Sequence, residues 1–142
     1  MTTADIRFGR YKNGLPHAAH VTLEVESSSS NPGINFSCSG QGFRSHGFIE
    51  EVPARGYDEW KGGAEAGVAF ALSVAGKSDC RVNVSKIEGL TTDTNPTIVA
   101  YAAALAVWKA LGFEPARKLV EQVEGLVFSS WKRPHNEIPK FG

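Results

Sequence analysis

The chain has too few cysteines for a disulfide framework: two, Cys38 and Cys80, in 142 residues. Both lie in strand-like apolar runs, which predicts a pair of reduced, buried thiols. The chain also lacks an excess of charge of either sign, since 15 Lys plus Arg balance 15 Asp plus Glu. That balance speaks against a strongly basic nucleic-acid coat protein and against an acidic tail. Long hydrophobic runs are missing too. The longest, Ile98 to Trp108, is about half of the ~20 residues that a membrane span needs. Met1 to Ile6 has no basic stretch leading into an apolar core, so no secretory leader is expected. The reading is a soluble cytoplasmic protein with no membrane partner.

What is present is ordinary globular composition, 42% apolar and 21% charged, at a length that suits one domain, residues 1–142. His20-Val-Thr-Leu-Glu-Val-Glu26 alternates between apolar and polar and predicts a strand with one wet face. Ser27 to Gly33 is a polar turn, and Ile34 to Cys38 alternates again, which predicts a hairpin between the two runs. Gly40 to Gly47 reads as a loop or an irregular strand. Tyr57, Trp60, Ala64, Val68, Ala71, Leu72 and Ala75 then fall at helical spacing. Asp58 and Glu59 suit the positive end of that helix and Gly76 its C-terminal cap. Gly62, Gly63 and Gly67 weaken it by about 1 kcal/mol each unless that face lies close on a sheet.

Cys80 to about Ile87 alternates and reads as a third strand. After the turn Gly89–Asn95, Pro96 suits the first position of a second helix, Thr97–Leu111, with Asn95 or Thr94 as N-cap and Gly112 as the stop. That helix is alanine-rich and apolar nearly all round, so it should be buried. Pro115 to Val123 is open between helix and extended chain, Leu126-Val-Phe128 looks like a strand, and 131–142 reads as a surface tail. The sum is an α+β two-layer sandwich, with a sheet of about four strands and two helices on one face.

Sequence signals of catalysis are few. There is no GxxxxGK[ST] phosphate loop, no HExxH, no CxxC and no GxSxG. His17, His20, His46 and His135 read as surface or strand-edge residues rather than metal ligands. His17 and His20, three apart on an extended chain, point to opposite faces. Glu50-Glu51 and Asp58-Glu59 read as solvated pairs rather than a catalytic dyad. No cofactor or metal is expected, and the reading leans away from an enzyme. Two small basic groups include aromatics: Arg7, Arg10, Tyr11 and Lys12 before the first expected strand, and Trp131, Lys132 and Arg133 near the end. Such groups can hold a phosphate backbone and stack a base.

Four segments between about Gly9 and Val127 resemble domain IV of the translation elongation factor G family. They are His20–Glu26, Glu51-Val-Pro53 with Tyr57 and the helix through Leu72, Arg81–Gly89, and Asp93–Gly112. The resemblance implies a left-handed βαβ crossover and an RNA- or ribosome-associated role without GTPase activity. It places the working tips at Arg10–Pro16 and Leu90–Asn95. The residues it offers for RNA are Arg10, Tyr11, Lys12, Asn13, Thr92 and Asp93, with Trp131, Lys132 and Arg133 added by the basic-aromatic pattern. The first tip departs from the family, reading Gly-Arg-Tyr-Lys-Asn-Gly-Leu-Pro. The alternatives are a protein-interaction or self-associating domain, with a homo-oligomer as partner, and a small enzyme of unknown reaction.

Overall fold

A computed structural model describes residues 1–44, 48–132 and 140–141. Among these residues, six strands and three helices follow in the order β1 Thr2–Lys12, β2 Leu15–Ser27, β3 Gly33–Phe36, β4 Gly42–Arg44, β5 Ile49–Glu51, α1 Asp58–Val74, β6 Cys80–Leu90, α2 Pro96–Leu111 and α3 Arg117–Phe128. A short 3₁₀ turn, Ser130–Lys132, follows α3. The strands form one mostly antiparallel sheet in the order β1-β2-β6-β5-β4, with β3 also on β6. The α+β sandwich is thus as expected, with six strands rather than about four and a third helix.

β1 was not anticipated. It pairs with β2 along its whole length, from Thr2 opposite Val25 to Lys12 opposite Leu15. The segment expected to be a free tip loop, Arg10–Pro16, is the end of this hairpin, closed by Asn13 and Gly14. Both take the left-handed conformation, at φ 55° and 76°. An Asn-Gly pair with positive φ at both positions is the turn whose twist matches a two-residue hairpin.

The expected hairpin between the runs at 20–26 and 34–38 does not form. β2 has β1 on one edge and β6 on the other, so it has no edge left. β3 instead runs parallel to β6, Gly33 opposite Arg81 through Phe36 opposite Val84. β5 takes the next stretch of the same edge, Ile49 opposite Leu90.

Val21, Leu23 and Val25 of β2 and Val82, Val84 and Ile87 of β6 face the helices and are buried. Thr22 and Glu24 on the other face remain partly open, as the alternation predicts. α2 begins as expected: Pro96 is its first residue, and the Asn95 side chain accepts from the Ile98 backbone N–H at 2.9 Å. Gly112 ends it at φ 64°. The glycines of α1 serve a different purpose from the one expected. Gly63 and Gly67 lie against the α2 backbone at Pro96 and Ala100, not on the sheet. The Trp108 indole N–H reaches across the same interface to the Ala71 carbonyl at 3.1 Å.

Leu126–Phe128, expected as a strand, is the last turn of α3. Val123 and Val127 lie four apart and are both buried, so the run belongs to one helical stripe. The open segment 115–123 resolves the same way, as helix from Arg117. The expected tail, 131–142, is not all surface where it is described: Trp131 is half-buried, and Phe141 packs edge-on to Phe70 at 5.4 Å between ring centroids, while 133–139 and 142 lie outside the described residues. Cys38 and Cys80 are free and buried. Burial pushes both thiols up from their ordinary value, which leaves them poor nucleophiles. Among the described residues no helix is long and apolar enough to cross a membrane.

Candidate functional site

The candidate RNA-contacting residues come from three segments that are far apart in sequence, and β2 gathers them. The Asp93 carbonyl accepts from the Ala18 N–H at 2.8 Å, which fixes the β6–α2 turn beside the start of β2. The Trp131 indole N–H donates to the Pro16 carbonyl at 2.8 Å, which fixes the 3₁₀ turn to the same place. Arg10, Tyr11 and Lys12 lie directly opposite, paired with His17, Pro16 and Leu15. All three segments therefore meet at one end of the sheet. Arg133 lies outside the described residues, as do His46 and His135.

The set is nonetheless split by the pleat. Successive residues of a strand point to opposite faces. Arg10 and Lys12 share the helix-side face with Phe8, and the Lys12 ammonium sits 6.0 Å from the Phe128 ring centre. Tyr11 points to the open side and is 75% exposed. Asn13 and Lys132 are exposed. The Thr92 hydroxyl donates to the Asp93 carboxylate at 2.8 Å, so these two partner one another.

The histidines depart from the expectation of surface groups. His17 and His20 do face opposite sides, but both are buried. His17 is 1% exposed, packs edge-on to Phe128 at 5.2 Å, and has no hydrogen-bond partner on either ring nitrogen among the described residues. His20, on the open face of the sheet, bonds Asp5 at 2.6 Å. The Thr22 hydroxyl, with His20, holds the Asp5 carboxyl below its ordinary value, and burial opposes that shift. Among the described residues no three His, Cys, Asp or Glu side chains are placed to share a metal ion.

Beside the gathered segments lies a cleft of about 610 Å³ that the sequence pattern did not reveal. Glu50 of β5, Tyr57 to Trp60 at the start of α1, Thr91 and Thr94 to Pro96 leading into α2, and Trp131 supply its lining. Tyr57 is held in the left-handed region, at φ 57° and ψ 38°, and its hydroxyl donates to Glu50 at 2.7 Å. Burial, reinforced by that carboxylate, pushes the phenol up to about 12. Tyr57 and Trp60 pack with ring centroids 5.3 Å apart. The residue types were visible in the sequence as Glu50-Glu51 and Tyr57-Asp58-Glu59-Trp60. Nothing local indicates that β5, the start of α1 and the 3₁₀ turn close on one another.

The chain matches no protein-family model and no curated protein. By structure, it is an α+β sandwich similar to a much longer protein. That protein is ttk003000868 from Thermus thermophilus, known from a crystal structure, with a TM-score of 0.54 at 16% identity. The likeness covers 88% of this chain but 20% of that one, so this chain spans about a fifth of that protein's length. At that identity the likeness shows the fold alone.

Proposed function

We propose that the chain is a cytoplasmic RNA-contacting module, similar to domain IV of the elongation factor G family, that works through the tip of its first hairpin. The observation that carries the reading is the run Arg10-Tyr11-Lys12-Asn13, all exposed, on a turn fixed by Asn13 and Gly14. Arg10 and Lys12 would neutralise phosphates, and Tyr11 would offer a ring to an unpaired base. Lys132 adds charge at the same end. Asp93 and the acidic cleft keep phosphate away from the neighbouring surface, so contact is confined to the hairpin. With zero net charge, affinity rests on this local patch rather than on a general field.

Filter-binding titration against structured and single-stranded RNA at ~0.15 M salt tests the reading. Saturable binding tighter than ~100 μM, the loose end of non-specific association, is expected, and weaker binding or none refutes it. A second reading, a protein-docking or self-associating domain, is favoured by Phe43 and Phe48, which are 54% and 62% exposed. Phe43 lies on β4, the strand at the end of the sheet. Sedimentation across a concentration series reads that alternative directly.

A further inference from the structure

The cleft between β5, α1 and the 3₁₀ turn carries a second assignment, independent of the RNA reading. Tyr57, Trp60 and Trp131 supply aromatic rings to its lining, and its charged residues are Glu50, Asp58 and Glu59. Among the described residues no Lys or Arg lines it, and none of the three carboxylates has an ion-pair partner. The dipole of α1 accounts for Asp58 and Glu59, which sit in its first turn. It does not account for Glu50, which comes from a different element, nor for two indoles and a phenol around the same space. Glu50 is only half used: one oxygen accepts from Tyr57, and no described group bonds the other. A volume of about 610 Å³ falls within the range of small-ligand sites. Aromatic faces together with uncompensated carboxylates recognise an organic cation, by ring quadrupole and by charge-assisted hydrogen bonds.

We propose that this cleft binds a protonated amine or guanidinium group, with Trp60 and Trp131 against its apolar body and Glu50 on its charged head. The group could arrive on a free polyamine or on the side chain of a basic peptide segment, and the probes separate these. The experiment titrates the full chain with spermidine and, separately, with N-acetyl-argininamide, while the indole N–H resonances of the three tryptophans are followed. Trp108, buried against Ala71, is the internal reference. Saturable shifts of Trp60 and Trp131 with a still Trp108 are expected, with Kd below ~10 mM for at least one probe. Spermidine the tighter of the two identifies a free polyamine, and argininamide the tighter identifies a peptide side chain. Glu50→Gln should weaken the favoured probe about tenfold, and Glu59→Gln, at an exposed position where only the small helix-dipole contribution is lost, by a smaller factor in the same direction. No saturation by ~50 mM of either probe would overturn the assignment. So would equal affinity in the unmutated protein and both variants.

Discussion

Gly67 of α1 lies so close to the Ala100 backbone of α2 that a Cβ built on it would stand 2.7 Å from the Ala100 carbonyl carbon and 2.8 Å from its Cα. Gly63 has the same relation to Pro96, one turn earlier. The two helices approach backbone to backbone, and only a residue without a side chain fits at the crossing. This close approach allows one helix layer to cover β1, β2 and β6 at once.

The same substitution should therefore have opposite signs at two glycines. Gly67→Ala gains about 1 kcal/mol of helix propensity. It must also push two main chains apart, and overpacking of that kind costs ~1–3 kcal/mol or more. A net loss of at least ~1 kcal/mol in a urea melt is expected, because rigid backbone, unlike a side-chain end, cannot give way. Gly125→Ala in α3 meets nothing within 4 Å. It should stabilise by up to ~1 kcal/mol. If Gly67→Ala stabilised the chain as Gly125→Ala does, the close crossing would be wrong.

His17 tests the opposite end of the core. Its ring is buried with neither nitrogen partnered among the described residues, and its edge meets the Phe128 ring. An unsatisfied buried polar group costs about 1–3 kcal/mol, whereas an apolar group of similar size at the same place does not. His17→Leu should be neutral or stabilising in a denaturant melt. A loss above ~1 kcal/mol would mean that the imidazole has a partner, such as a buried water.

The cleft predicts an alkaline transition. An unfolded tyrosine loses its proton near ~10, while Tyr57 holds its proton to about 12. Folding thus opposes this ionisation, so the contribution is intact below pH ~10 and falls as pH rises from there towards 12. Ultraviolet titration should show a phenol ionising near the top of that window and absent from Tyr57→Phe. Glu50→Gln should bring it partway down, because burial is the larger cause and the carboxylate the second. A phenol unmoved by Glu50→Gln would show that the Tyr57–Glu50 bond does not persist in solution.

Much of this architecture was legible, and the failures have identifiable causes. α2 could be read to within a residue because its ends carry chemistry: Asn95 caps, Pro96 opens and Gly112 closes it. β1 was missed although Ala4, Ile6 and Phe8 alternate. Asp5 and Arg7 fit that alternation, but past Phe8 the helix-side positions carry Arg10 and Lys12, so the apolar pattern covers only three positions of an eleven-residue strand. Leu126-Val-Phe128 failed for a different reason, since three apolar residues in a row fit a strand and a helix stripe equally well. The misplaced β3 is a problem of partners rather than of local preference. A polar turn at Ser27–Gly33 suggests a hairpin, and only the occupation of both β2 edges sends the strand to β6. The cleft was illegible for the same reason, since its lining comes from four separate segments.

The hairpin tip offers the sharpest test of function, because the pleat separates its charges from its ring. Arg10 and Lys12 lie on the helix side and Tyr11 on the open side, so an RNA strand that uses all three must wrap the edge of β1. The double change Arg10→Ala, Lys12→Ala should weaken binding alike for all RNA sequences. It should also lower the slope of log affinity against log salt by about one to two units, since each lost phosphate contact removes ~0.7–0.9. Tyr11→Ala should act differently, costing ~1–3 kcal/mol on single-stranded RNA through lost stacking while leaving the salt slope unchanged. Neither change alters a buried side chain, so melting temperatures should stay near that of the unmutated chain. If the double change lowers affinity and Tyr11→Ala does not, the strand lies only on the helix side and the stacking role is wrong. If neither matters while RNA still binds, the contact is elsewhere and the hairpin loses its claim.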